Sequence, residues 1–177
     1  MATMTFMSVP EARTAPLQKA DFMREAKVSP QGRDVFLSHS SNDHEFVPAV
    51  IALFKEHGAT VYVDDLDERL PRPPTAVSAI HLKGEIAKAR RLVVLATPNS
   101  HESRWSPWEL GLGDGMRGIP PNAVLPVTLT GEVAAWTAAE YFAVYPKIAR
   151  IDLKWRVIDP RNGGSWPLAQ WVKGALV

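Results

Sequence analysis

Hydrophobic residues recur along this chain with two alternating periods. Short apolar runs bounded by polar turns are typical of buried parallel strands, and they fall at Asp34–Ser38, Thr60–Val63, Leu92–Ala96 and Ala123–Leu129. Between them the apolar residues follow a helical spacing, which predicts helices at Phe46–Phe54, Ala76–Ala89 and Ser106–Met116. Strands that alternate with helices indicate βαβ units, and therefore a parallel sheet with right-handed crossovers.

The two ends of the chain are less regular than this central part. Residues 1–32 are interpreted as an N-terminal extension with one helix at Ala15–Val28, followed by a single domain over residues 33–177. We expect a fifth strand, a short strand extension and a terminal helix in the last fifty residues, at Ala149–Leu153, Arg156–Ile158 and Pro167–Ala175. In that helix Leu168 and Trp171 are predicted to point inward. Pro48 fits either the first turn of its helix or a kink.

Composition narrows the class of protein. The 177 residues suit one domain, and 46% hydrophobic with 22% charged residues is typical of a globular core with an ordinary surface. A formal net charge of +1 gives no general reason to expect nucleic-acid binding. The chain has no cysteine, which excludes disulfides and thiolate metal sites. No apolar run approaches the length of a membrane span, and the first ten residues lack a signal-peptide pattern. We therefore expect a cytoplasmic protein that binds neither membrane nor nucleic acid.

The loops that follow the strands are where ligands bind in an open parallel sheet. In the first, Ser38–Asp43, hydroxyls and free backbone N–H groups at a helix start suit a phosphate or a ribose, although Ser41 or Asn42 could simply cap the helix. A hydrolase triad on Ser38 and His39 is disfavoured, because neighbouring strand residues point to opposite faces.

The second loop, Asp64–Pro74, is acidic at its start. Its carboxylates could hold Mg²⁺, but a loop exposed to water is the simpler interpretation. A phospho-receiver domain would place its acidic pair after the first strand, whereas these residues follow the second. No histidine pair has the spacing of metal ligands and no Walker A motif is present, so we predict no metal site.

The third feature is Trp105-Ser106-Pro107-Trp108-Glu109-Leu110. Ser106 and Glu109 have the spacing of a capping box, and Pro107 then occupies the first helical position. Alternatively, an aromatic residue four positions before a carboxylate suits an enzyme that cleaves a glycosidic bond. The nearby Gly111, Gly113 and Gly115 follow no strand, and we interpret them as packing residues and not as a dinucleotide fingerprint.

Together these segments resemble a TIR domain over about residues 33–130. The resemblance is carried by Asp34-Val35-Phe36-Leu37-Ser38-His39-Ser40-Ser41-Asn42-Asp43, Gly58 with Val61-Tyr62-Val63-Asp64, Ala89-Arg90-Arg91-Leu92-Val93-Val94-Leu95, Ser100 and the Trp105–Leu110 segment. It implies an α/β fold, with a flavodoxin-like open parallel sheet of about five strands and helices on both faces. Enzymatic TIR domains often carry a Trp-x-x-x-Glu pattern at the start of the third core helix, and Trp105 with Glu109 fits it.

By this similarity Glu109 is the catalytic carboxylate, and NAD is its substrate, with no separate cofactor. The residues expected to bind the substrate are Ser38, His39, Ser40, Asp43, Asp64 and Trp105. Nicotinamide leaves NAD as a neutral molecule and needs no general acid, so one carboxylate can stabilise the ribosyl centre. Attack by water gives ADP-ribose, and attack from within the molecule gives a cyclic ADP-ribose. The sequence does not choose between them.

The resemblance also implies partners. We expect self-association through TIR–TIR contacts, although Pro71-Arg72-Pro73-Pro74 replaces the Pro-Gly of many members and predicts a different assembly. Because the sequence shows no second domain, we expect a Thoeris-like anti-phage role, in which a nucleotide product signals to a separate effector. Two alternatives remain open: a non-enzymatic adaptor TIR domain, and a nucleoside deoxyribosyltransferase, which fits the sheet but not the Ser38–Asp43 motif.

Overall fold

A computed structural model describes residues 3–13, 33–71, 73–132 and 140–174. The strands are β1 Met4–Thr5, β2 Met7–Ser8, β3 Val35–Ser38, β4 Val61–Val63, β5 Arg91–Ala96, β6 Asn122–Thr128, β7 Lys147–Ile151, β8 Lys154–Ile158 and β9 Ser165–Pro167. The helices are α1 Val9–Arg13, α2 Val47–Glu56, α3 Ala76–Lys88, α4 Ser106–Arg117 and α5 Leu168–Val172. Short 3₁₀ turns lie at Ser41–Asp43, Asp64–Leu66, Ser100–Glu102 and Glu140–Val144. The helix predicted at Ala15–Val28 lies outside the described residues.

The centre of the sheet is parallel, as the alternation of strands and helices predicted. Its strands run in the order β4-β3-β5-β6-β7, and each neighbouring pair in this part is parallel. The order reverses between β3 and β5, which is where an open α/β sheet forms its ligand crevice. Beyond β7 the sheet continues with the antiparallel strands β8 and β9. The predicted flavodoxin-like α/β fold is confirmed.

Helices cover both faces of the sheet. Alternate residues of one strand enter opposite cores: Val35 and Leu37 pack with α2 and α5, whereas Phe36 packs with α3 and α4. This is the two-residue period of a strand buried on both sides, which explains why the strand segments are apolar throughout. Leu168 and Trp171 of α5 are fully buried in the first core, as predicted.

The N-terminal residues are part of this sheet. β2 pairs in parallel with β6 and β1 pairs antiparallel with β7, while β6 and β7 pair with each other only at Val124 and Lys147. Residues 4–8 therefore lie between β6 and β7, and the side chains of Phe6 and Met7 are buried. This differs from the interpretation of residues 1–32 as an extension, since strands of two residues are too short to show a hydrophobic period.

The remaining differences from the predicted elements are local. The four central strands begin or end within one residue of their predicted limits, and Pro48 lies in the first turn of α2. The fifth strand ends earlier than predicted, at Ile151, because the chain turns back through Asp152 and Leu153 with positive φ at both residues. Every helix in the described ranges is too short or too polar to traverse a lipid bilayer.

One of the three glycines of α4 is required by packing. A Cβ on Gly113 would lie 2.9 Å from Oδ1 of Asn122 and 3.0 Å from Cδ1 of Leu92, so a side chain fits here only if these two side chains or α4 shift. The same substitution at Gly111 or Gly115 meets nothing within 4 Å. The packing role predicted for these residues therefore holds for Gly113 alone.

Candidate active site

A cavity of about 520 Å³ lies where the carboxyl ends of β3, β4 and β5 meet, a volume typical of small-molecule sites. The loops that follow β3, β4 and β5 line it together with α3, and we call them the first, second and third loops. The lining residues are His39, Ser40, Ser41 and Asn42 from the first loop; Asp64, Asp65, Leu70, Pro71 and Pro74 from the second; Glu102, Ser103, Arg104 and Trp105 from the third; and Ser78 and Leu82 from α3. Its position at the reversal of strand order is the one that the fold predicts for a ligand.

The first loop is capped by Ser40. Its Oγ accepts a hydrogen bond from the backbone N–H of Asn42, at 3.3 Å, and so closes the 3₁₀ turn Ser41–Asp43. Ser41 and Asn42 therefore do not cap the following helix, the alternative that the sequence left open, since α2 begins after Phe46 without a side-chain cap. The side chain of Asn42 instead crosses to the third loop, where Nδ2 donates to Oε2 of Glu102 at 2.6 Å.

Asp43 joins the first loop to the third from the interior. Its side chain is fully buried and accepts hydrogen bonds from Oγ1 of Thr97, which lies 2.9 and 3.0 Å from the two carboxylate oxygens, and from Nδ2 of Asn99 at 3.0 Å. Burial raises the pKa of Asp43, and these two donors act against that rise. Asp43 does not line the cavity, and its carboxylate holds two of the cavity walls together.

His39 lies at the contact between the first and second loops, with its side chain only 1% exposed. Nε2 of His39 is 2.9 Å from Oδ2 of Asp65, and Nδ1 is 3.6 Å from Oδ1 of Asp64. Burial alone lowers the pKa of His39, but the hydrogen bond to Asp65 and the charges of Asp64 and Asp65 outweigh it, so the pKa is raised. The neighbouring carboxylates of Asp64 and Asp65 thus offset the cost of burying this ring.

The rest of the acidic loop is fixed by Asp67. Its carboxylate accepts hydrogen bonds from Tyr62 Oη at 2.8 Å and from the side chain of Arg69, and its Oδ2 lies 2.9 Å from Nε2 of His81 on α3. Burial by itself raises the pKa of Asp67, but these donors outweigh it and lower the pKa overall. The expectation of a loop exposed to water is thus wrong for Asp67, which anchors the loop to the sheet and to α3.

Glu109 does not cap its helix. The backbone N–H of Ser106 donates to Oγ of Ser103 at 3.1 Å, and the N-cap residue Trp105 makes no side-chain cap. Ser106 and Glu109 thus do not form the predicted capping box, and Pro107 is the second residue of α4 and not the first. The Glu109 side chain turns inward, and the residue is only 2% exposed.

The environment of Glu109 disfavours its charge. Burial, followed by the negative charge of Asp64, raises the pKa of Glu109 to about 8, while Ser38 and His39 act in the opposite direction. The hydroxyl of Ser38 interacts with this carboxyl, yet within the described part of the chain it makes no hydrogen bond of normal geometry. Glu109 is therefore a buried carboxyl group close to His39 and Asp64, in surroundings that favour its uncharged form.

The structure gathers all seven candidate residues at one end of the sheet but gives them two positions. Those that line the cavity are His39, Ser40, Asp64 and Trp105, and those that lie behind its wall are Ser38, Asp43 and Glu109. Trp105 packs edge-on against Trp108, with ring centroids 5.5 Å apart, at the rim above Glu109. The roles assigned to these residues remain predictions.

Sequence reasoning missed the apolar wall opposite the first loop. It is made by Leu70, Pro71 and Pro74 of the second loop and by Ser78 and Leu82 of α3. Ser78 and Leu82 are four positions apart and share one face of the helix, a signal that the spacing of α3 does contain. Arg104 was also missed, since nothing in a polar loop distinguishes an arginine that faces a cavity from one that faces water.

The comparisons with known proteins agree with this architecture. Residues 35–160 match the family described as TIR domain, and the chain belongs to this family. A curated relative from Bacillus cereus (strain MSX-D12), named "Probable 3' cyclic ADP-D-ribose synthase ThsB'", is 32% identical over 119 residues. The alignment covers 66% of this chain and 61% of that relative, so the chain spans less than two thirds of the protein that it resembles.

Proposed function

We propose that the cleft binds NAD and that Glu109 promotes cleavage of the nicotinamide–ribose bond. The observation that carries this proposal is the position of Glu109. It is buried at the carboxyl end of the sheet, behind the residues that line the cavity, and it has no part in capping its helix. A buried carboxyl group with a raised pKa is costly to keep charged, and perturbed carboxyl groups beside a cavity cluster at functional sites.

The chemistry needs one anionic group. As the bond between C1′ of the ribose and the pyridinium nitrogen breaks, both electrons move to the ring and neutral nicotinamide leaves. The positive charge then lies on the ribosyl C1′ and ring oxygen. We propose that the nearby cationic pyridinium of bound NAD lowers the raised pKa of Glu109, and that the resulting carboxylate stabilises this charge. Because the leaving group needs no proton, neither a second carboxylate nor a cofactor is required, and NAD is the substrate.

The cavity supplies groups for the rest of the molecule. Ser40 and the backbone of the first loop suit ribose or phosphate oxygens, and Trp105 offers an aromatic face near the reacting bond. His39 and Asp64 border the carboxylate and adjust its charge. Ser38 and Asp43 act from behind the wall, the first beside Glu109 and the second by holding two loops together.

Two products are compatible with this cleavage. Attack of water on C1′ gives ADP-ribose, and attack of an oxygen or nitrogen atom of the same molecule gives a cyclic isomer after loss of one proton. The name of the Bacillus relative supports cyclisation, and we propose a cyclic ADP-ribose as the main product. We further propose that the protein self-associates and that this nucleotide signals to a separate effector in defence against phage.

The test is an incubation of concentrated protein with NAD, read by mass spectrometry, with wild type beside Glu109→Gln. Gln keeps the shape of the side chain and removes the charge. Wild type should release nicotinamide and a product at the mass of ADP-ribose or of its cyclic isomer, one water lighter, and the variant should lose about 10²–10³-fold of this rate. Glu56→Gln, an exposed residue at the end of α2, is the matched control and should keep full activity.

Each other outcome of this experiment supports a different function for the protein. If neither form releases nicotinamide, even with a crowding agent or lysate from phage-infected cells, the adaptor interpretation replaces the enzyme. Equal release by wild type and Glu109→Gln would remove Glu109 from the mechanism. If a deoxynucleoside is cleaved and NAD is not, the deoxyribosyltransferase interpretation replaces this one.

A further inference from the structure

Three potential metal ligands meet at the rim of the cleft. His39 lies in the first loop, His44 follows that loop directly, and Asp65 lies in the second loop. One ligand atom of each residue lies within 4.8 Å of the other two. Nε2 of His39 and Nδ1 of His44 are each 2.9 Å from the same oxygen, Oδ2 of Asp65.

We propose that these three residues bind a zinc-class divalent cation. Two imidazoles and one carboxylate are a common ligand set for Zn²⁺, and imidazole ligands exclude the oxygen-preferring Mg²⁺ and Ca²⁺ as the first choice. The proposal departs from the prediction of no metal site, because His39 and His44 are five positions apart and share no helical face. The fold brings them to a carboxylate twenty-one residues beyond the second of them.

The distances require a small movement only. Ligand atoms of a tetrahedral ion, each about 2.0–2.2 Å from the metal, lie about 3.3–3.5 Å apart. Both 2.9 Å contacts must open by roughly half an ångström. The His44 side chain, which is 58% exposed, can open its own contact, and the Asp65 side chain, which is 25% exposed, must move to open the contact with His39. His39 is held in place by burial, with 1% exposure, and so supplies the rigid side of the site.

A second observation supports the assignment. A metal-bound histidine usually directs its other ring nitrogen to a carboxylate, which fixes the ring and its tautomer. Nδ1 of His39 is buried and makes no hydrogen bond of normal geometry within the described part of the chain, and the atom that it faces is Oδ1 of Asp64 at 3.6 Å. The imidazole of His39 therefore lies between the carboxylate of Asp64 and the proposed metal position, as in a carboxylate–histidine–metal arrangement.

The surroundings favour a cation as well. The cavity is lined by the carboxylates of Asp64, Asp65 and Glu102, and among the described lining residues Arg104 is the only lysine or arginine. His39 and Asp65 line the cavity themselves, so the remaining coordination position is accessible from it. An ion at this place joins the first loop to the second and offers a ligand position to an anionic group in the cleft.

The experiment uses the metal alone and no nucleotide. Wild-type protein is titrated with Zn²⁺ by calorimetry, and Co²⁺ is added in parallel because its visible absorption reports the coordination geometry. We expect one ion per chain and the intense absorption of a four-coordinate site. His44→Ala and Asp65→Asn should each abolish the site or weaken it by at least tenfold, and Asp64→Asn should weaken it by about 10–100-fold.

His57→Gln is the matched control, since His57 lies at the end of α2 and its Nδ1 contacts the backbone carbonyl of Leu53, away from the cleft. It should bind Zn²⁺ as wild type does. Circular dichroism of each variant checks the fold, which His44→Ala should not disturb because the side chain is exposed. Absence of one-to-one binding in wild type, or equal binding by wild type and folded His44→Ala, would overturn the proposal. Neither result depends on whether the protein cleaves NAD.

Discussion

Two carboxyl groups, Asp43 and Glu109, are buried at the same end of the sheet and are held in opposite ways. The carboxylate of Asp43 receives hydrogen bonds from Thr97 and Asn99 and connects two loops. For the carboxyl group of Glu109, burial and then the negative charge of Asp64 raise the pKa to about 8, and the interaction that most opposes this rise comes from the hydroxyl of Ser38. Burial alone therefore does not decide how a carboxyl group is held, because the donors and charges around the two groups differ.

The largest effect on stability is expected at Asp43. In Asp43→Asn, one oxygen becomes an amide donor that faces the donors of Thr97 and Asn99, and we expect a loss of about 2–4 kcal/mol in the free energy of unfolding. The matched change Glu109→Gln should cost less, because the raised pKa of Glu109 shows that its surroundings favour an uncharged side chain, which Gln also is. Urea denaturation of both variants at pH 7 measures the difference, and equal losses would show that the two groups are held alike.

A smaller effect is expected from the helix that carries Glu109. Gly113→Ala places a methyl group against Asn122 and Leu92, at 2.9 and 3.0 Å, and should cost about 1–3 kcal/mol as α4 moves off the sheet. Gly111→Ala, on the open side of the same helix, should gain up to about 1 kcal/mol through helix propensity. Thermal unfolding compares them. If both variants gain stability, α4 has room to approach the sheet and the depth of Glu109 is not set by Gly113.

The last effect concerns the pH dependence of stability and is small at any single pH step. Between the ordinary pKa of 4.5 and the folded value of about 8, the folded chain keeps a proton on Glu109 that the unfolded chain has lost. Stability therefore falls as pH rises, by at most about 1.4 kcal/mol per pH unit, and levels off above the folded pKa. Glu109→Gln removes this contribution. Asp64, Asp65 and His39 face the same region, and the charge of Glu109 in turn raises the pKa of His39, so the difference between the two proteins reports Glu109 together with its coupling to these groups.

Urea unfolding of wild type and Glu109→Gln at pH 5, 6, 7 and 8 gives the two curves. We expect the variant to become progressively more stable than wild type as pH rises through this range. Parallel curves would mean that Glu109 ionises in the folded protein as easily as in water, and the contrast with Asp43 would then disappear.

The parts of the fold that sequence could predict are those set by local pattern. β3, β4, β5 and β6 are apolar runs flanked by polar turns, and their limits were predicted to within one residue. The hairpin after β7 was misplaced, because Asp152 and Leu153 both adopt positive φ, a conformation that a leucine gives no reason to expect. β1 and β2 depend wholly on partners far along the chain.

The candidate site shows the same limit. The end of each strand and the resemblance of Trp105 and Glu109 to a TIR pattern were enough to locate the cleft. The spacing of Ser106 and Glu109 fitted a capping box as well as it fitted a catalytic carboxylate. The structure excludes the capping box, because the hydroxyl of Ser103 accepts the hydrogen bond from the backbone N–H of Ser106 at the start of the helix. The contacts of Asp65 with His39 and His44 cross between loops, so no local pattern could indicate them.

The short N-terminal strands have a consequence for the order of events during synthesis. Met7 pairs with Val127 and Met4 with Ile151, so during synthesis residues 4–8 must wait for partners 120 and 147 positions later. Until those partners are made, the apolar side chains of Phe6 and Met7 cannot be buried between β6 and β7, and pairing over such a long sequence distance is slow. The nascent chain can assemble β3, β4 and β5 earlier, but it completes this part of the sheet only after β7 has been made.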